Sequence, residues 1–172
     1  MAETQLISVN DIQTYRRIDP KFDVNRFNAF VTDVQRKNLR NLFGDALYYA
    51  FMNDARTGGI YYDLLTGKIY TYQGNTIQYY GIKPFLCYCV LAILARESEM
   101  FISTYGAVEF VNNSQQSFEK SKEKERIAVG YMETAQYYAN DIIQFLNEHS
   151  TSYPLWVMDS EKKTTEFTTF KL

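Results

Sequence analysis

Pro84-Phe-Leu-Cys-Tyr-Cys-Val-Leu-Ala-Ile-Leu-Ala95 is the longest apolar stretch of the chain, and as a helix it would have no polar face. A helix of that composition cannot lie on a surface and must be wrapped by other elements. It is too short to span a bilayer, which takes about 20 apolar residues. Proline near its start suits the first turn of a helix, where a missing N–H costs nothing. The stretch therefore predicts the central, buried helix of a mainly α bundle, running over 85–102, with Arg96, Glu97 and Glu99 marking where it emerges. Cys87 and Cys89 flank Tyr88 within it. Residues two apart on a helix point in different directions, so buried free thiols are expected rather than a disulfide or a metal site.

Upstream, Ser8-Val-Asn-Asp11 reads as a capping-box-like helix start, followed by Ile12, Tyr15 and Arg16 at helical spacing and closed by Asp19-Pro20. Asp23 is a candidate N-cap for a second helix. Its apolar face is Phe27, Phe30, Val31 and Val34, continued by Leu39, Leu42 and Phe43. Gly44-Asp45 reads as a helix stop followed by a new N-cap, 46–52 as a further short helix, and Thr57-Gly58-Gly59 as a break.

The period then changes. Lys68-Ile-Tyr-Thr-Tyr72 and Thr76-Ile-Gln-Tyr-Tyr80 are β-branched and aromatic, with Gln73-Gly74-Asn75 between them, which predicts an inserted β-hairpin at about 68–80. A lone hairpin is barely stable, so it has to lie on the helical body or add to a neighbour's sheet. Downstream of the central helix, 105–116 reads as a connector and 117–148 as a long C-terminal helix. Its start is mixed in charge; its later turns carry a near-heptad stripe of Ile127, Tyr131, Ala135, Tyr138, Ile142 and Phe145. His149 follows as a solvated residue at the helix's negative end. Tyr153-Pro-Leu-Trp156 is an aromatic knot, and 157–172 an extended tail of high β-propensity. The chain thus reads as one helical domain, 1–156, with an extended C-terminal tail, 157–172.

Aromatic residues make up 16% of the 172 residues, and fifteen are tyrosines. A tyrosine has an apolar body and a polar tip, which suits surfaces buried against another protein. The candidates for such contacts are Tyr70, Tyr72 and Tyr79 on the hairpin, Trp156 in the knot, and Phe167, Phe170 and Leu172 in the tail. A net charge of -2 gives no strong field to draw the chain onto DNA or an anionic membrane. Lys120, Lys122, Lys124 and Arg126 are interleaved with glutamates that cancel most of their field.

No catalytic set, cofactor cradle or metal-ligand cluster is legible. The one histidine rules out histidine pairs, no Gly-rich phosphate loop is present, and Glu97 with Glu99 or Glu123 with Glu125 diverge on a helix. Asp54 and Asp63 flank the glycine break, where turn chemistry explains them. A non-enzymatic chain without cofactor is expected. Met1-Ala-Glu-Thr-Gln5 has neither a basic start nor an apolar leader, so a soluble protein made in the cytoplasm, without membrane contact, is expected.

The order of short motifs adds a family. Leu6-Ile-Ser-Val-Asn-Asp-Ile-Gln-Thr-Tyr15, Leu42-Phe-Gly-Asp-Ala-Leu-Tyr-Tyr49, Tyr62-Asp-Leu-Leu65, the Tyr-rich hairpin, Gly81-Ile-Lys-Pro-Phe-Leu86, Phe145-Leu-Asn-Glu148 and Tyr153-Pro-Leu-Trp156 follow one another over 6–156. In this order they resemble the helical head-to-tail adaptor (connector, or head-completion) proteins of tailed phages, including crAss-like phages. The resemblance implies a structural virion protein of the neck, made in the host cytoplasm, that forms a ring, commonly of twelve copies, below the portal protein. Such a ring extends the DNA channel, lets DNA pass without sequence-specific contact, and gives a downstream tail or ring protein its docking surface. A tail-completion or stopper protein of the same particle, or a host-directed protein-binding module, are the alternative expectations. The Tyr-rich hairpin and the threonine- and phenylalanine-rich tail depart from the simplest adaptors.

Overall fold

In the computed structural model, residues 4–16, 23–97, 100–103, 106–109 and 114–157 are described, with backbone alone for 100–103, 106–109 and 114–121. The chain is mainly helical. Its helices are α1 (Val9–Gln13), α2 (Val24–Val34), α3 (Arg40–Phe43), α4 (Asp45–Asp54), α5 (Ile60–Thr66), α6 (Lys83–Glu97) and α7 (Ser114–Glu148). The strands are β1 (Lys68–Tyr72) with β2 (Asn75–Tyr79), and β3 (Met100–Ser103) with β4 (Gly106–Glu109), each pair an antiparallel hairpin.

The expected caps form. Ser8 and Asp11 close a reciprocal capping box at α1, and Asp23 accepts from the Asn25 N–H at the start of α2. Helix α1 ends at Gln13, well before the proline that was expected to stop it. The Thr14 side chain bonds back to the Asp11 carbonyl there. Ahead of Ser8, Leu6 and Ile7 are already buried. They are held by Gln35, whose carboxamide accepts from the Leu6 N–H at 2.8 Å and donates to the Thr4 carbonyl at 3.1 Å.

Gln35 can be buried because Gln35–Leu39 is a wide π-helical turn joining α2 to α3. The apolar face predicted the helix but not this turn: Val34 and Leu39, both buried, are five residues apart, a step that no regular α-helix keeps on one face. Gly44, at φ 73°, then separates α3 from α4. It is Gly44 and not Asp45 that occupies the N-cap of α4; the Asp45 carboxylate instead takes the Arg40 guanidinium at 2.8 and 3.1 Å. Helix α5, unforeseen as a helix, follows the Gly58-Gly59 break.

The central helix is confirmed. In α6 every residue from Pro84 to Ala92 is buried. Phe85, Leu86, Cys87, Val90 and Leu91 are fully covered, and Tyr88 and Ala95 nearly so. The helix lies along α7, its principal partner, with α1, α2 and the π turn also packed on it. Ala128, Ala135 and Ala139 on α7 are small enough to let the two backbones close together, while Ile142, Phe145 and Leu146 fill the lower part of the seam. Each fully buried large apolar side chain contributes about 1.5–3 kcal/mol relative to exposure, so this seam dominates the packing. Cys87 and Cys89 are free and buried, and burial pushes the Cys87 thiol up to about 12.

Helix α6 stops at Glu97 and not at 102. Its expected last turn belongs to β3, and part of the expected connector to β4, with Phe101 opposite Val108 and Ile102 opposite Ala107. Phe, Ile and Val favour a paired strand once the apolar helix has run out. Helix α7 accordingly starts at Ser114, three residues earlier than the charge pattern suggested. Among the described residues no helix is long and apolar enough to cross a membrane.

The first hairpin has the predicted place and a two-residue turn, Gln73-Gly74, with φ of 49° and 83°. Positive φ at both positions is the geometry that matches strand twist in a tight hairpin. Its base is welded to the body. Gly67 and Gly81 cross back to back with φ of 86° and 82°, and a Cβ on Gly81 would stand 2.5 Å from the Leu65 carbonyl oxygen. The Ile82 N–H then bridges the Leu64 and Leu65 carbonyls at 3.2 and 3.1 Å.

Candidate interaction surface

The aromatic residues fall into two networks. The first is interior. Phe43 meets Phe51 edge-on at 5.4 Å, Phe51 meets Tyr61, Tyr61 meets Tyr153, and Tyr153 meets Phe145 at 5.9 Å. Phe145 is the hub: Tyr79 stacks on it at 4.0 Å with planes 6° apart, His149 stacks at 4.3 Å, and Tyr70 meets it edge-on at 5.3 Å. The Tyr153 hydroxyl donates to the Ile60 carbonyl at 2.8 Å and the Tyr79 hydroxyl to the Leu64 carbonyl at 3.0 Å. This network ties α4, α5 and the hairpin to the end of α7.

It also reassigns several residues singled out for contacts. Tyr79 is fully buried and is a core residue. Tyr70 is half-buried, with its ring against His149 at 4.7 Å and its hydroxyl on the Glu148 carboxylate; burial and that carboxylate raise its pKa. Trp156 is half-buried and donates from Nε1 to Asn147 at 2.8 Å. Tyr72, beside the turn, keeps 36% of its surface exposed. Phe167, Phe170 and Leu172 lie outside the described residues. His149 is not the solvated helix end expected of it: it sits between Phe145 and Tyr70, with Nδ1 2.9 Å from the Phe145 carbonyl.

The second network runs from the core out to the surface, joining the residues just after α1 to α6, α7 and the base of the hairpin. Tyr88, on the outer side of α6, is its centre. Tyr15 approaches it at 5.6 Å, Tyr131 at 6.1 Å and Tyr138 at 5.8 Å in a stacked arrangement. Tyr80 meets Tyr138 at 6.2 Å, Tyr137 meets it at 5.5 Å, and the Arg16 guanidinium rests near the Tyr88 and Tyr131 rings. Tyr80 is 53% and Tyr137 66% exposed. Burial, followed by neighbouring ionisable groups, pushes the Tyr15 phenol up to about 12, and the Tyr138 phenol is raised in the same way. Both rings stay neutral in ordinary buffers and offer hydroxyls without charge. The sequence held a signal for this band, since Tyr131 and Tyr138 are one heptad apart and Tyr137 adjoins them. Reading the heptad as core stripe hid it.

One carboxylate supports the band. Asp141 of α7 accepts from the Tyr80 N–H, while its Oδ2 is buried without a partner among the described residues. Burial raises its pKa, the Tyr80 bond works against that, and the nearby Glu148 adds to it.

At the other end of α6 a groove of about 320 Å³ is lined by Phe30, Asp33, Lys37, Ile93, Arg96 and Glu125, among others. Its charges are matched: Arg96 holds Glu125 at 2.8 Å across two helices, and Lys37 lies 3.7 Å from Asp33 one turn away. Asp63 is taken by Lys68 at 3.1 Å rather than turned to Asp54. Among the described residues no three His, Cys, Asp or Glu side chains converge on a point where they would hold a metal ion.

Residues 39–166, most of the chain, match a family described as a Family of unknown function (DUF6712). The chain belongs to that family. No curated protein matches it, and neither does any solved structure. The DUF6712 match takes in α3 to α7 and both hairpins, hence both networks apart from Tyr15 and Arg16, and it continues past Val157 into the tail.

Proposed function

We propose that this chain is a head-to-tail adaptor of a tailed phage, a subunit of a ring below the portal that extends the DNA channel and receives a downstream tail or ring protein. The ordered motifs over 6–156 support the phage setting. The assembly role is carried by one observation: the cluster of Tyr80, Tyr131, Tyr137 and Tyr138 around the buried Tyr88, which opens to solvent at Tyr80 and Tyr137. Tyrosine at this density is what a protein contact uses, because the ring gives apolar area at little conformational cost and the hydroxyl finds a partner across the interface.

A ring needs two dissimilar lateral surfaces on each subunit. The band is one. Ile60 and Tyr62 of α5, with Leu155 and Val157 after α7, form a second exposed apolar set on different elements. A net charge of -2 suits a channel along which DNA slides without sticking.

The test is light scattering and negative-stain microscopy of the purified chain with and without portal. A ring that binds portal is expected, and Tyr137→Glu, which charges the band at its most exposed ring, should weaken it at least tenfold without lowering the melting temperature. A chain that stays monomeric and ignores portal refutes the reading.

A further inference from the structure

The free edge of β1 is open to another strand. The two-residue turn closes on the Tyr72/Asn75 pair, and hydrogen-bonded pairs alternate along an antiparallel ladder. Tyr70 with Ile77 and Lys68 with Tyr79 are therefore the bonded pairs, and the N–H and C=O of Ile69 and Thr71 point away from β2. Among the described residues no backbone group pairs with them, and Ile69 is 67% exposed. Natural sheet edges are guarded by an outward lysine, a proline or a bulge. This strand has no proline, and its register with β2 runs without a bulge. Its lysine, Lys68, is turned inward onto Asp63 and over the Phe145 ring.

What covers the edge follows from where the chain leads. Trp156 is anchored on Asn147 in the last turn of α7, and Tyr70 of β1 is bonded to Glu148 in the same turn. The chain thus leaves the described body close to the hairpin, and residues 158–172 follow. Within them Thr164-Thr-Glu-Phe-Thr-Thr-Phe-Lys-Leu172 is β-branched and aromatic, with neither proline nor glycine. The family match runs on to residue 166, taking in the approach to this segment and its first three residues. Residues 157–163 alone would span about 23 Å if extended, enough to carry the segment beyond its own hairpin.

We infer that residues 164–172 of one copy add as a third strand to the β1 edge of a neighbouring copy. The choice of a neighbour rests on the ring reading: one donor strand and one acceptor edge per subunit make a further pair of unlike surfaces, of the kind that head-to-tail closure uses. The outward groups of Ile69 and Thr71 supply the ladder, and the exposed Ile69 side chain gives Phe167 or Phe170 an apolar contact.

Disulfide trapping on the full chain tests this. Cys87 and Cys89 are buried and do not compete. A chain carrying Thr71→Cys is mixed with chains carrying single cysteines scanned over 164–172, Thr168→Cys the central one, and oxidised. The inference expects an intermolecular dimer at one register. Ile69→Pro should reduce it at least tenfold, because the lost N–H is one that β2 does not use. Thr169→Pro, outside the described residues, should give the same loss from the donor side even if Ile69→Pro unfolds the hairpin. No trapped dimer, or trapping only within a chain that carries both cysteines, overturns it. Trapped dimers in a protein that ignores portal would instead count against the adaptor reading and leave the strand exchange standing.

Discussion

Tyr79 gives the sharpest separation between core and interface, because the sequence placed it on a contact surface and the structure places it at 0% exposure. Two variants divide its contribution. Tyr79→Phe deletes only the hydroxyl, which donates to the Leu64 carbonyl at 3.0 Å. That carbonyl keeps the Ile82 N–H at 3.2 Å, so it is not orphaned and the loss is the net worth of one hydrogen bond, about 1 kcal/mol. Tyr79→Ala also removes the ring stacked 4.0 Å from Phe145 and leaves a cavity at the hub of the interior network, which costs about 3–5 kcal/mol. In urea, with a slope of about 2 kcal/mol per molar, the midpoint falls by about 0.5 M for the first variant and about 2 M for the second. Trp156, the single tryptophan and a neighbour of this network, reports the transition by fluorescence. Tyr79→Phe should assemble as the parent does. Equal losses for the two variants would show that the hydroxyl and not the ring holds the hub. Tyr79→Ala that keeps its midpoint but loses assembly would return Tyr79 to the surface and refute the packing described.

Gly81→Ala should cost about 3 kcal/mol, since it combines positive φ with a Cβ against the Leu65 carbonyl, whereas Gly74→Ala in the open turn should cost about 1 kcal/mol; equal urea midpoints for the two would refute the welded base. Asp141→Asn should stabilise the fold at pH 7 by a few tenths of a kcal/mol, a gain kept small by the carboxyl's partial exposure. The sign follows from its raised pKa: between the ordinary value of 3.8 and the raised one, the unfolded chain has lost a proton that the folded chain keeps. Stability from this group is therefore full below 3.8 and lost as the pH rises through the folded value. The advantage of the variant should vanish near about pH 3.5 in paired urea titrations, and a variant weaker at both pH values would show that the Asp141 charge is satisfied.

The central helix was legible because 84–95 leaves no alternative to burial, and the first hairpin because two β-branched and aromatic runs flank a glycine-containing loop. Ser8 and Asp23 fixed two helix starts through side-chain caps that depend on near neighbours alone. What was not legible depends on distance along the chain. Nothing local separates Tyr79, buried against Phe145 far along the chain, from Tyr80, exposed one residue on; the pleat alone divides them. The surface band was hidden for the same reason, since it joins Tyr15, Tyr88 and Tyr138 from separate parts of the chain. Helix α5 is only seven residues long, too short for a periodic pattern to declare itself. The second hairpin was missed because the polar Arg96-Glu-Ser-Glu99 that separates the apolar helix from Met100-Phe-Ile102 holds no glycine or proline to mark a break.

The wide turn at Gln35–Leu39 has a consequence for how the chain tolerates change in length. In a regular α-helix Leu39 would lie about 140° around the axis from Val34; the turn absorbs that phase error, and both residues reach the same core. It is thus a one-residue insertion held inside a continuous helix. Excising Lys37, whose side chain is exposed, would restore a four-residue step and an ordinary α-helical phase on both sides. The family match begins at Leu39, the last residue of the turn. Everything upstream is joined to the matched body through a seam where a residue can be gained or lost while α3 and the helices beyond it keep their orientation.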